Sequence, residues 1–122
     1  MTARYTVVEQ PVRIPVPGNK LIEEIFGHVS TQTGDLSVAH MVAPPGWSEP
    51  GQTPAFDEIT IMVRGRMRIE IADEVVELSA GQSIRISKGV RVRYANPYQE
   101  ENEYYAICLP AFSPDTVNRE QE

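Results

Sequence analysis

Within residues 66–72, RMRIEIA, apolar Met67, Ile69 and Ile71 alternate with the charged residues before them, and this pattern is what most constrains the fold. An extended chain places every second side chain on the same face, so the alternation predicts a strand with one buried face. The turn residues Asp73 and Glu74 follow, and VVELSA (75–80) can pair back on that strand. The sequence therefore predicts a β-hairpin with one apolar face.

Short runs of apolar and β-branched residues recur along the chain, bounded by Gly and Pro. Residues 21–29 are ambiguous between a short helix and a strand, and the turn at 33–35 favours the strand. No stretch has the period of a long amphipathic helix. Eight or more short strands with frequent Gly and Pro turns predict an all-β sandwich or barrel. The other predicted strands lie at 36–43, 83–87, 90–95 and 103–110, with Lys88–Gly89 as a turn.

The two ends of the chain have their own patterns. Prolines at positions 11, 15 and 17 mark residues 1–20 as an extended arm or an edge strand, because proline cannot donate to a β-ladder. Near the other end, Ser113 before Pro114 is a usual start for a single helical turn. The remainder of 113–122 is predicted to be a loose tail.

Length and charge limit the function classes. A chain of 122 residues is expected to form one domain over 1–122. Its net charge of −6 disfavours nucleic acid and anionic membrane as partners. We expect a cytoplasmic protein, because no apolar run is long enough to span a bilayer, the N-terminus lacks a signal-peptide layout, and the single Cys108 excludes an internal disulfide.

Residues 44–65, PPGWSEPGQTPAFDEITIMVRG, contain a spaced motif. The spacing resembles the first motif of the cupin superfamily: Gly, five residues, His, one residue, His, three or four residues, Glu, six residues, Gly. The residues at these positions are Gly46, Gln52, Pro54, Glu58 and Gly65, so both histidines are replaced and the glutamate is kept.

A second motif follows after 15 residues (66–80). The cupin pattern is Gly, five residues, Pro, one residue, Gly, two residues, His, three residues, Asn. Here the positions are held by Gly81, Ser87, Gly89, Val92 and Asn96. Both motifs in order imply an RmlC-like double-stranded β-helix, a small jelly-roll β-barrel with its site in the barrel mouth.

The resemblance covers roughly residues 36–109, the expected barrel core. Three shorter phrases, at 57–59, 87–94 and 103–111, resemble the cupin domain of the ethanolamine-utilisation accessory proteins. Those proteins also lack the histidine triad and keep a glutamate in the Asp-Glu-Ile phrase.

The histidine replacements bear on the cofactor. In cupins the two histidines of the first motif and its glutamate usually hold a metal ion, with a third histidine from the second motif. Transition metals need three or four converging N, O or S donors, and the inherited positions supply one carboxylate and one amide oxygen. We expect no metal cofactor. The alternative is a rebuilt metal site using Glu49, Gln52, Glu58 and His40.

Period-two alternation assigns the inward face of the barrel once Glu58 is taken to point inward. A carboxyl among apolar side chains has a raised pKa, which suits general acid–base work. Tyr94 could donate a hydrogen bond to a substrate oxygen, and Gln52 could orient it. These groups together suit proton transfer at a carbon next to a carbonyl group, as in an isomerase, epimerase or lyase. The candidate catalytic residues are Glu58, Tyr94 and His40, and the candidate ligand-binding residues are Gln52, Trp47, Glu49, Thr60, Met62, Val92 and Tyr104.

Structural interpretations stand beside these functional ones. Glu58 could be retained only to hydrogen-bond the barrel wall, His40 could be a core histidine, and Trp47 could cap the core rather than cover the pocket. Cys108 is expected to be an inert buried thiol. If these structural interpretations hold, the protein is a non-catalytic metabolite-binding or accessory assembly cupin instead of an enzyme.

One strand is apolar on both faces. With Glu58 inward, Ile59, Ile61 and Val63 point outward, where a strand that meets water should carry polar residues. Either the N-terminal arm or a second subunit is expected to cover them. The cupin resemblance favours a homodimer, with the arm exchanged between subunits.

Overall fold

The computed structural model describes residues 4–121, and this part of the chain forms nine β-strands and no α-helix. No helix in it is long and apolar enough to cross a membrane. The strands are β1 (Val12–Arg13), β2 (Leu21–Phe26), β3 (Ser37–Ala43), β4 (Asp57–Arg64), β5 (Arg66–Ile71), β6 (Glu74–Ser79), β7 (Ser83–Ile86), β8 (Val92–Ala95) and β9 (Asn102–Leu109).

The strands form two antiparallel sheets. The larger has the order β1-β2-β3-β9-β4-β7, and the smaller has the order β6-β5-β8. Non-consecutive neighbours such as β3 and β9 bring distant parts of the sequence together, as a jelly roll requires. The all-β barrel prediction is confirmed, and residues 21–26 form the strand that the turn at 33–35 favoured.

The predicted hairpin is formed by β5 and β6, which pair Met67 with Leu78 and Ile69 with Val76. The apolar face of β5 enters the core, where Met67 and Ile69 are fully buried. Inward side chains of both sheets meet there, since each strand alternates between core and outer face. The main core cluster comprises Ala43, Met62, Met67, Ile69, Leu78, Ile86, Val92, Tyr94, Tyr104 and Ala106.

The Lys88–Gly89 turn separates strands of different sheets. β7 pairs with β4 in the larger sheet, whereas β8 pairs with β5 in the smaller one. Glu58 lies opposite Ile86 on β7, and Tyr94 lies opposite Ile69 on β5. The crossover therefore places Glu58 and Tyr94 on facing walls of the barrel.

Two residues kept from the sequence motifs, Gly65 and Asn96, have structural roles. Gly65 has φ +77°, and a Cβ there would lie 2.8 Å from the Glu101 carbonyl oxygen, so a side chain would not fit the turn between β4 and β5. Asn96 is fully buried, and its Nδ2 donates to the carbonyls of Ala43, Pro44 and Glu100 at 2.9–3.2 Å. These contacts hold the turns without any help from the missing histidines.

The N-terminal arm includes the short edge strand β1, and its residues Ile14 and Val16 lie against the barrel interior. The loose tail was a wrong prediction. Val117 is buried, Arg91 makes a paired ion contact with Glu120 at 2.7 and 3.0 Å, and the Ala55 amide donates to the Thr116 carbonyl. The tail packs against the end of the barrel because it supplies an apolar side chain and hydrogen-bond partners for the barrel backbone.

Candidate functional site

A cavity of about 810 Å³ lies inside the barrel mouth. Its walls are the inward faces of β2, β3, β4 and β9, the Tyr94 side chain from β8, the loop after Gly46 and parts of both chain ends. The predicted site residues that line it are Trp47, Glu49, Gln52, Glu58, Thr60, Tyr94 and Tyr104.

Tyr94, a residue of the smaller sheet, holds the Glu58 side chain inside this cavity. Tyr94 Oη donates to Glu58 Oε1 at 2.6 Å, and the Cys108 thiol approaches Oε2 at 3.6 Å. Burial raises the pKa of Glu58; the Tyr94 hydrogen bond opposes the shift, and the nearby Glu49 adds to it. The carboxyl is therefore biased towards its protonated form.

The two groups nearest Glu58 keep their protons at neutral pH. Burial raises the pKa of Tyr94 well above its ordinary value, and the neighbouring Glu58 raises it further. Burial also raises the pKa of Cys108, so this thiol is not a nucleophile. Tyr94 therefore acts as a fixed hydrogen-bond donor to Glu58.

Lys20 is a site residue that the sequence did not indicate. Only 7% of its surface is exposed, its ammonium donates to Tyr104 Oη at 2.7 Å, and it lies 3.7 Å from the centre of the Trp47 ring. Burial lowers the pKa of Lys20 to about 8, and the attraction of Glu49 and Glu58 offsets only part of this. A lone lysine in a proline-rich arm gives no signal that it enters the barrel.

Gln52 is already engaged by the tail. Its backbone pairs with Val92 at 2.9 and 2.8 Å, and its Oε1 accepts from the Arg119 guanidinium at 3.0 and 3.3 Å. Arg119 also lies 3.7 Å from Glu49. Gln52 therefore fixes Arg119 at the cavity wall rather than presenting a free amide oxygen.

His40 is not part of the cavity, and its expected role there is wrong. On β3 the odd positions Ser37, Ala39 and Met41 line the cavity, so His40 faces the outer surface. Its Nδ1 lies 3.0 Å from Glu23 and its Nε2 lies 2.7 Å from Glu103.

Met62 and Val92 point inward as expected but do not line the cavity. Both are almost fully buried and belong to the core cluster between the sheets. Alternation predicts the face of a strand correctly, but it does not say whether that face meets a packed core or an open cavity at a given position.

The donor set does not fit the metal ion that the fold implies. Glu58 and Gln52 are bound by Tyr94 and Arg119, and Pro54 and Val92 offer no ligand. Within residues 4–121, no three His, Cys, Asp or Glu side chains are grouped so that they could hold a metal. The rebuilt alternative is not assembled, because His40 lies on the other face of β3.

Solved structures share this fold at low sequence identity. An RmlC-like cupin from Shewanella frigidimarina superimposes with a TM-score of 0.72 at 15% identity, covering 93% of this chain and 96% of that one. A protein described as ethanolamine utilization protein Q, from Salmonella typhimurium, gives 0.61 at 16% identity, covering 79% and 73%. At such identities the likeness concerns the fold alone.

One curated relative is closer in sequence. It is named Endoribonuclease YbeY, from Myxococcus xanthus, and is 42% identical over 107 residues. The match covers 88% of this chain but only 36% of the relative, so the chain spans about a third of that protein's length. The relative's name therefore describes a much longer protein.

The family assignment of this chain rests on a match that covers more than half of it. The family model for the cupin domain matches residues 39–108, which run from β3 to β9 and contain both spaced motifs. The two-sheet barrel, its turn glycines and its interior cavity agree with that match. The chain therefore belongs to the cupin domain family.

Proposed function

We propose that this protein binds a small organic molecule in the barrel cavity and moves a proton at a carbon next to that molecule's carbonyl group. The observation that carries the proposal is the Glu58–Tyr94 hydrogen bond of 2.6 Å, made beside a cavity of about 810 Å³. Cavities of roughly 300–1,000 Å³ are typical of small-molecule sites.

The geometry distinguishes the two oxygens of Glu58. Oε1 accepts the strong hydrogen bond from Tyr94, whereas Oε2 has only the weak 3.6 Å contact with the Cys108 thiol. Oε2 is therefore the atom that accepts the proton from substrate carbon and returns it. The raised pKa of Glu58 makes the carboxylate a stronger base than an exposed one.

Tyr94 has a positioning role. Its hydroxyl is committed to Glu58, so it fixes the carboxyl group and limits its rotation towards the wall. A fixed base near the substrate lowers the entropic cost of reaching the reactive geometry. The step balances in protons, because the proton that Oε2 takes from carbon is the one that it returns.

Hydrogen–deuterium exchange tests the proposal. A panel of uncharged ketones and aldehydes is incubated with protein in D₂O, and loss of the proton next to the carbonyl is followed by NMR. The wild type should accelerate exchange for at least one compound, and Glu58→Gln should abolish the acceleration while keeping the fold. An exchange rate that is the same in Glu58→Gln and wild type would exclude Glu58 as the base.

A non-catalytic binding protein is the second candidate. It is favoured by the satisfied state of Glu58, whose two oxygens both have protein contacts. Ligands would then raise the melting temperature without any exchange at carbon, since binding to the folded state alone stabilises it. An RNA substrate is disfavoured, although the curated relative is named as an endoribonuclease, because the chain carries a net charge of −6.

A further inference from the structure

We propose that the cavity ligand carries a carboxylate, and that Lys20 binds it beside Tyr104 and Trp47. The inference deepens the proposed ligand-binding function and rests on it. Tyr104 and Cys108 are four residues apart on β9, and Cys108 lies opposite Glu58. Four residues of a strand span about 13 Å, so one ligand can have its anion near Tyr104 and its reactive carbon near Glu58.

Lys20 is a buried cation that forms no ion pair within the described chain, although Glu49 and Glu58 attract its charge from a greater distance. Its side chain is 7% exposed, and its ammonium makes one hydrogen bond within the described chain, to the neutral Tyr104 hydroxyl. No carboxylate in residues 4–121 lies within 4.0 Å of it. Lysine has three donors, so two remain for a ligand.

The surrounding rings stabilise the charge but do not neutralise it. The ammonium lies 3.7 Å from the Trp47 ring centre and 5.3 Å from that of Tyr104. Cation–π contacts contribute less than a hydrogen-bonded ion pair in a buried site. A buried charge that lacks a counter-ion is costly, so its presence in a cavity points to an anion supplied from outside.

The carboxylates of the cavity are engaged elsewhere. Glu49 lies 3.7 Å from Arg119, and Glu58 holds the Tyr94 hydroxyl. Glu24 accepts the backbone amides of Val29 and Ser30 at 3.0 and 2.6 Å. The titratable and charged groups that line the cavity with Lys20 are Glu24, His28, Glu49, Glu58, Tyr94, Tyr104, Cys108 and Arg119.

The rest of the lining is mainly apolar, with Ile14, Val16, Ile22, Met41 and Phe112 around the space between these groups. Such walls favour a ligand with a hydrocarbon body. The structure thus indicates a small carboxylic acid with an apolar body, carrying the carbonyl group that the proton transfer at Glu58 needs.

Trp47, the sole tryptophan of the sequence, provides the readout. Purified protein is titrated with acetate, 4-methylpentanoate and phenylacetate, and with the amide of each acid, while tryptophan fluorescence is recorded. At least one acid should give a saturable change, and its amide should bind at least about tenfold more weakly, because a charge-assisted hydrogen bond is lost. Equal binding of acid and amide, or no saturable response to any acid, would overturn the inference.

Two lysine variants separate the site from general charge effects. The chain has two lysines, Lys20 and the exposed Lys88 in the turn before β8. Lys20→Met should weaken acid binding at least about tenfold, whereas Lys88→Met should bind as the wild type does. Wild-type binding should also weaken as the pH rises past 8, where Lys20 loses its proton. Should Lys20→Met fail to fold, this pH dependence decides the matter, and binding that is constant from pH 7 to 10 contradicts the proposal.

The two proposals fail independently. If acid binding depends on Lys20 but no exchange depends on Glu58, the carboxylate site stands and the proposed proton transfer is refuted. Glu58-dependent exchange of uncharged carbonyl compounds, with no acid binding at Lys20, would do the reverse.

Discussion

Tyr94 on the smaller sheet donates a 2.6 Å hydrogen bond to Glu58 on the larger sheet, and the bond crosses the interior of the barrel. The pair joins a buried carboxyl to a buried phenol, and burial raises the pKa of both groups. Glu58 raises the pKa of Tyr94 further, whereas the Tyr94 hydrogen bond lowers the pKa of Glu58. Two sheets held together at this point present one carboxyl oxygen to the cavity in a fixed orientation.

Glu58→Gln should gain stability relative to wild type as the pH rises. Burial raises the folded-state pKa of Glu58, so the folded protein binds more protons than the unfolded chain above about pH 4.3, and wild-type stability falls through that window. Urea denaturation at pH 4 and pH 7.5 measures the difference. The exposed Glu74→Gln should show no such trend, and a difference for Glu58→Gln that stays constant with pH would refute the assignment.

Tyr94→Phe should destabilise the protein by about 1–3 kcal/mol, because it leaves Glu58 Oε1 buried without its donor. It should also move the pH profile of carbon exchange to higher pH, since the Tyr94 hydrogen bond lowers the pKa of Glu58 against the effect of burial. Chemical denaturation and the pH–rate profile measure the two effects. An unchanged profile would mean that Tyr94 does not control the carboxyl.

Lys20→Met should stabilise the protein at pH 7. Burial lowers the pKa of Lys20 from 10.5 to about 8, and each pKa unit corresponds to about 1.4 kcal/mol, so charging this lysine in the fold costs roughly 3 kcal/mol. The unfolded chain binds more protons between pH 8 and 10.5, so wild-type stability rises over that range and the advantage of the variant shrinks. Denaturation at pH 7 and pH 10 measures this, and a variant less stable than wild type at pH 7 would show that the lysine is a structural support.

His40→Asn should destabilise the protein more at pH 6 than at pH 9. Partial burial opposes protonation of His40, but the hydrogen bonds with Glu103 and Glu23 outweigh it and raise the pKa of the imidazole. The stabilisation is therefore complete below about pH 6.5 and is lost as the pH rises through the higher folded-state pKa. Thermal denaturation at the two pH values measures it. His28→Asn, at the other histidine, serves as the comparison, and equal losses at both pH values would contradict the ion pairing.

We expect a homodimer that buries the outer face of the larger sheet. Ile61 and Val63 are 37% and 48% exposed on that face, and the described part of the N-terminal arm lies at the cavity instead of covering them. Replacing both with aspartate should convert a dimer to a folded monomer in sedimentation velocity. Val75→Asp, at a position on β6 that is 53% exposed, should leave the dimer intact. A monomeric wild type would disprove the expectation.

Much of the fold followed from local patterns. Alternation in β5 and β6 predicted their hairpin, and glycine and proline placed the turns, because strand faces and turn angles depend on residues close in sequence. The inward side of β4 was also predictable, since Glu58, Thr60 and Met62 share one face at period two.

By itself, the sequence determined the strands, the turns and the identity of the inward carboxyl. Only the tertiary structure decided which groups surround that carboxyl. Lys20 and Arg119 enter the cavity from opposite ends of the chain, and His40 leaves it because β3 turns its other face inward. The physical reason is that periodicity fixes which residues share a face, whereas the choice of face and the docking of chain ends depend on packing between residues distant in sequence.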